Sequence, residues 1–92
     1  LKEDIYADRD FPPFNRVSMD GIALDYTSFQ NGERAFFIEG IQPAGSPQIS
    51  LSDHKNCIEV MTGAVLPDNT NVVIRYEDVL IENGIAKIQL KN

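Results

Sequence analysis

Apolar residues along this chain come in short runs that alternate with polar ones, the period-two signature of strands. No long stretch repeats them at the helical period of about 3.6 residues. The clearest unit lies near the C-terminus. Residues 79–82 and 85–90 flank Asn83-Gly84, a pair that tolerates positive φ at both positions, which predicts a hairpin closed by a type I′ turn. Residues 71–79 carry the strongest strand pattern, with Val72-Val73-Ile74 first and alternation after them. Residues 34–41, rich in aromatic and β-branched side chains, predict another strand, 57–60 a short one, and Ile22-Ala23-Leu24 the start of one more. Extended chain is expected over residues 1–10. Turn-forming clusters separate these segments at Pro43-Ala44-Gly45-Ser46-Pro47, Met61-Thr62-Gly63-Ala64 and Leu66-Pro67-Asp68-Asn69. Residues 25–32, with Phe29 as apolar anchor among Thr27-Ser28 and Asn31-Gly32, read as a loop or hairpin end, and Ser52 could cap one helical turn over Asp53-His54-Lys55. The expected class is mainly β.

Composition narrows the function classes. Ninety-two residues, 42% of them hydrophobic, suffice for one small domain, which at this size buries about 60–65% of its unfolded surface. Fourteen acidic residues against eight basic ones give a net charge of −6 without any basic run, which argues against nucleic-acid and anionic-membrane partners. Cys57 is the only cysteine, so an internal disulfide is impossible and a reducing compartment is the simpler expectation. No apolar run approaches the roughly 18 residues a membrane crossing needs. The chain opens on Leu1 rather than methionine, as expected of a piece of a longer protein.

Two short segments carry candidate chemistry. Pro12 and Pro13 stiffen the approach to Phe14, after which Ser18 and Asp20 flank Met19 and Gly21 follows directly. A hydroxyl and a carboxylate thus arrive where the chain can turn or admit a ligand, although an Asp-Gly turn between apolar anchors explains the same residues. In Met61-Thr62-Gly63-Ala64 a hydroxyl at a strand end beside a glycine could present Oγ and backbone N–H groups to an anion. Elsewhere the chemistry is bland. His54 is expected to be solvated between Asp53 and Lys55, Cys57 to be a buried inert thiol, and Asp4, Asp8 and Asp10 lack the spacing of a calcium loop.

Taken together, the run from Pro13 through Asn15-Arg16-Val17-Ser18-Met19-Asp20-Gly21-Ile22-Ala23, then Pro43-Ala44-Gly45, then Met61-Thr62-Gly63-Ala64-Val65-Leu66-Pro67, and Val72-Val73 with Glu77 resemble in order and spacing the molybdopterin molybdenumtransferase family. Its members include bacterial MoeA, the gephyrin E domain and the corresponding plant E domain. The resemblance spans nearly the whole chain, and the two signatures together are far more specific than either alone. The chain departs from the family at Ile22, where Tyr is usual, at Asn15, where Asp is frequent, and at Asp68-Asn69, where a glycine is usual.

That resemblance implies a parent enzyme that inserts molybdenum from molybdate into adenylylated molybdopterin with a divalent metal, Mg²⁺, and releases AMP. It implies that this chain is a small β module of coiled and bifurcated sheets, with pterin binding in a separate α/β domain outside these residues, and that the cytoplasmic parent is a homodimer. By the same resemblance Asp20 and Thr62 line the active cleft as catalytic residues, Asp20 also ligates the metal, and Ser18, Gly21, Gly63 and Ala64 contact substrate. A chain of charge −6 cannot be the main surface for anionic substrates, so their cationic partners are expected elsewhere in the parent and the isolated module is expected to be inactive. The alternative is a non-catalytic β interaction module of a gephyrin-like scaffold.

Overall fold

Alternation of apolar residues becomes a sheet whose central strands are buried on both faces. The computed structural model describes residues 5–7 and 16–89. Its elements are β1 (Ile5–Ala7), β2 (Gly21–Leu24), α1 (Tyr26–Gln30), β3 (Ala35–Gln42), β4 (Asn56–Val60), β5 (Val72–Arg75), a 3₁₀ turn (Tyr76–Asp78), β6 (Val79–Glu82) and β7 (Ile85–Ile88). The strands form one mixed, curled sheet in the order β1-β5-β2-β4-β3-β7-β6. Among these strand pairs β3–β4 is the parallel one and the rest are antiparallel.

Successive residues of a strand point to opposite faces. Ile22, Leu24, Cys57, Val72 and Ile74 therefore gather with Phe29, Phe36, Ala86 and Ile88 on one side. Ala23, Ile58, Val60 and Val73 gather with Val17, Leu51 and Ala64 on the other. Burial on both faces is why Val72-Val73-Ile74 is continuous rather than alternating.

The parallel β3–β4 pair needs a crossover, and two polar side chains hold it. Buried Gln42 accepts from Ile49 N at 2.8 Å and donates Nε2 to Pro47 O at 2.9 Å. At the register shift between Ile38 and Gly40, the Glu39 carboxylate accepts from Ser52 N, Ser52 Oγ and Asn56 Nδ2, each at 2.9 Å. Burial works against the Glu39 charge, but the Asn56 and Ser52 donors outweigh it and hold the carboxyl below its usual range.

The mainly β class stands, as do the strands around Ile22-Ala23-Leu24, over most of residues 34–41 and at 57–60. The terminal hairpin also holds over Val79–Glu82 and Ile85–Ile88, with Asn83 at φ 54° and Gly84 at φ 78°, as a type I′ turn requires.

Three local expectations are corrected. Residues 25–32 contain a helix: Asp25 caps it by accepting from Thr27 N at 3.0 Å. Tyr26 stacks on Phe29 with ring centroids 5.8 Å apart, and the Arg34 guanidinium covers the Phe29 ring. Five residues are too few to show a helical period. Ser52 caps no helix, because Glu39 takes its hydroxyl and Asp53 accepts from Lys55 N to form an Asx turn. The strand expected over 71–79 is broken at Tyr76–Asp78, since β5 lies between β1 and β2 while β6 is at the opposite sheet edge. One straight strand cannot occupy both places. The Phe11–Phe14 lead-in, Asn15, Asp4, Asp8, Asp10 and Leu90 lie outside the described residues.

Candidate functional site

Asp20 immediately precedes β2, an interior strand of the sheet, and its place is set by Gly21. Gly21 pairs with Val60 of β4 on one side and Arg75 of β5 on the other. A Cβ there would collide with the carbonyl oxygen of Ile74 and lie 2.8 Å from Arg75 Cα, so only glycine lets β2 and β5 approach. The Asp20 carbonyl accepts from Tyr76 N at 3.2 Å, tying this corner to the 3₁₀ turn. Because Val60 is paired with Gly21, the chain leaving β4 passes beside Asp20. It turns there over Met61-Thr62-Gly63-Ala64, closed by Ala64 N donating to Met61 O at 2.9 Å, with Gly63 at φ 92° in the third position, the requirement of a type II turn.

Thr62 then donates twice to the same carboxylate oxygen, from N at 2.6 Å and from Oγ1 at 2.8 Å to Asp20 Oδ1. These bonds, the backbone one first, hold the Asp20 carboxyl below its usual range, so it is ionised at neutral pH. Among the described residues Oδ2 has no hydrogen-bond partner, and the side chain is exposed.

The turn expected to offer N–H groups to an anion thus uses them internally. Thr62 N serves Asp20, Gly63 N donates to Val17 O at 2.9 Å, and Ala64 N serves Met61. The structure brings Asp20, Thr62 and Gly63 together. Gly21 and Ala64 are buried, the first in β2 and the second in the core beside Val17, where they frame the corner. Ser18 is exposed and is not among the residues lining the cleft described next.

Asp20 and Thr62 stand in an open cleft of about 640 Å³, lined also by Met19, Arg75, Tyr76 and Glu77. The Arg75 Nε donates to Asp78 Oδ2 at 2.9 Å. Burial, and then the Glu59 charge and the bond between its carboxylate and the Tyr76 side chain, push Tyr76 up to about 12, so its hydroxyl keeps its proton. Arg75 and Tyr76 are absent from the site the sequence points to because the pattern over residues 71–79 is that of one strand. The turn that follows Arg75 leaves no local signal beyond the Glu77-Asp78 pair.

The remaining candidates lie away from this cleft. His54 is exposed and lines a separate polar cleft of about 450 Å³ with Asp25, Ser52 and Asn71, while the Ser28 hydroxyl donates to the His54 carbonyl at 2.6 Å. Cys57 is fully buried, and burial, with Glu59 and Glu39 adding, pushes its thiol up to about 12, as an inert cysteine requires. Among the described residues no helix is long and apolar enough to cross a membrane.

Comparison with known proteins places this chain in one family. The family model described as the MoeA N-terminal region (domain I and II) matches residues 1–91. A molybdopterin molybdenumtransferase of Synechocystis is 51% identical over 88 residues, covering 96% of this chain and 23% of the relative. One from Haemophilus influenzae is 32% identical over 83 residues, covering 89% and 20%. A crystal structure of the molybdopterin biosynthesis MoeA protein from Pyrococcus horikoshii superimposes with a TM-score of 0.77 at 28% identity, over 95% of this chain and 23% of that one. The chain therefore spans about a fifth to a quarter of the length of the proteins it matches.

Proposed function

Because this chain belongs to the family of the MoeA N-terminal region, we propose that it is the small β module of a molybdopterin molybdenumtransferase, a cytoplasmic homodimer that inserts molybdenum from molybdate into adenylylated molybdopterin and releases AMP. The module supplies the Asp20–Thr62 edge of the active cleft, and a pterin-binding domain elsewhere in the parent supplies the opposite wall. One observation carries this reading. Two donors from Thr62, 42 positions along the chain, converge on one oxygen of an exposed carboxylate that lines the cleft.

The residues present fit a shared divalent-metal site. Mg²⁺ takes one or two protein carboxylates and completes its octahedron with water and substrate oxygens. The cleft lining offers Asp20 and Glu77, and the described residues contain no group of three or more metal-ligating side chains that would bind a metal alone. When bound, the ion neutralises charge on the phosphate and oxyanion. Asp20 would be the residue to hold it, with Thr62 fixing the rotamer of Asp20 through its two bonds to Oδ1. Gly21 and the β2–β5 pairing keep the corner from shifting.

Thr62 variants in the full-length parent test this reading. Thr62→Ser keeps both donors and is expected to insert molybdenum at near-parental rate. Thr62→Val removes the hydroxyl and is expected to slow insertion about tenfold or more, with a melting temperature within a few degrees of the parent. Parental rates in Thr62→Val would remove Thr62 from the site. Measurable insertion by the purified 92-residue chain would refute the two-sided cleft.

A further inference from the structure

Two Asn-Gly pairs stand on the surface of this chain, Asn31-Gly32 and Asn83-Gly84, and all of these residues are exposed. An Asn-Gly pair is open to one spontaneous reaction, because the glycine nitrogen can reach the asparagine side-chain carbon with no Cβ in the way. The local structures treat the two glycine nitrogens differently. At Asn31-Gly32 the chain leaves α1: Asn31 N donates to Thr27 O at 3.0 Å, Gly32 N to Phe29 O at 3.0 Å and Glu33 N to Ser28 O at 3.1 Å, so the glycine N–H is bound into the helix cap. At Asn83-Gly84 the type I′ turn closes between Glu82 and Ile85. Gly84 O accepts from Ile38 N at 2.9 Å, but among the described residues Gly84 N has no hydrogen-bond partner, and neither has the Asn83 side-chain amide. The turn also leads out of β6, which is largely exposed and stands at the end of the sheet order. Opening the tip of this hairpin therefore displaces no further described strand.

We propose that Asn83 is a site of spontaneous deamidation and that Asn31, in the same dipeptide, is protected by its helix cap. Gly84 N gives its proton to solvent and attacks Asn83 Cγ. A C–N bond forms, and the side-chain nitrogen takes up a proton and departs as ammonia. Water then opens the resulting succinimide at either carbonyl, giving aspartate, or isoaspartate with the main chain running through the former side chain; nothing is oxidised or reduced. At Gly32 the same loss of a proton would leave a negative nitrogen against the Phe29 carbonyl oxygen, so that hydrogen bond has to break first. Either product places a new carboxylate beside Glu82, which pairs with Lys87 at 3.0 Å. Isoaspartate also adds a methylene to the backbone of a turn whose length sets the register of β6 on β7.

The test incubates the 92-residue chain at pH 8, folded and in denaturant, and follows aspartate plus isoaspartate at positions 31 and 83 by peptide mapping with mass spectrometry. In denaturant neither pair has a structure to protect it, so the two unfolded rates are the references. After division by those rates, Asn83 in the folded chain is expected to react at least about threefold faster than Asn31, the factor that one hydrogen bond of ordinary strength supplies. A smaller ratio, or a faster Asn31, overturns the proposal. Gly84→Ala puts a methyl group beside the attacking nitrogen. In that variant the product at position 83 is expected to be suppressed while that at position 31 is unchanged. Undiminished product at position 83, in a Gly84→Ala chain whose far-UV circular dichroism matches the parent, overturns attack by Gly84 N as the route.

Discussion

Gly21→Ala is expected to destabilise the fold severely although it adds a single methyl group. The added Cβ would meet backbone rather than a yielding side chain: the Ile74 carbonyl oxygen, with Ile74 C and Arg75 Cα both at 2.8 Å. Relief requires β2 and β5 to separate at the centre of the sheet, where Gly21 also pairs with Val60. Overpacking a core position costs about 1–3 kcal/mol. A clash between two paired backbones belongs at the upper end, about 3 kcal/mol, against a total stability of roughly 5–14 kcal/mol for a chain of this length. With a urea dependence of about 1–3 kcal/mol per molar, the unfolding midpoint should fall by about 1–3 M. Urea unfolding followed by far-UV circular dichroism measures this directly. Gly84→Ala is the matched control: Gly84 sits at φ 78° with no atom nearer than Phe37 Cε1 at 3.9 Å, so it bears only left-handed backbone strain of about 1 kcal/mol. A Gly21→Ala midpoint within about 0.3 M of the parent, or a smaller shift than that of Gly84→Ala, would refute the steric account of Gly21.

Two further outcomes follow from the titrating groups. Cys57, buried and pushed up to about 12, is expected to resist iodoacetamide at pH 8 in the folded chain and to label fully in denaturant; native labelling at the denatured rate would contradict its burial. Asp20 titrates below its ordinary value of 3.8 in the folded chain, so its contribution to stability is present above that value and is lost as pH falls through the lower folded one. The stability difference between parent and Asp20→Asn should therefore narrow between pH 6 and pH 2, and a constant difference would show that the Thr62 bonds do not favour the ionised form.

What was legible in the sequence was what one segment decides by itself. Asn83-Gly84 fixes its own turn, and the apolar run at Val72-Val73-Ile74 announces a buried strand whatever its partners. Asp20 and Thr62 were found through two local signatures, but their meeting depends on β2 pairing with β4, a contact between distant parts of the chain. Thr62 consequently looked like a donor to an outside anion, when its bonds go to Asp20. Arg75 and Tyr76 were hidden because the break at Tyr76–Asp78 is imposed by the separation of β5 and β6 in the sheet, and no residue there forbids a strand. The helix at Tyr26–Gln30 escaped because its cap and its stacked rings stabilise a single turn too short for periodicity.

The central claim is that Asp20 acts on the chemistry and not on the fold, and single-turnover molybdenum insertion by full-length Asp20→Asn, with its melting temperature measured on the same preparation, tests it most directly. The variant keeps the shape of the side chain and an oxygen to accept from Thr62 while removing the charge. The account predicts insertion slowed about ten- to a thousandfold at a melting temperature within a few degrees of the parent. Parental insertion by the folded fraction of a variant that melts well below the parent would contradict it and make Asp20 a structural residue of the β2 corner.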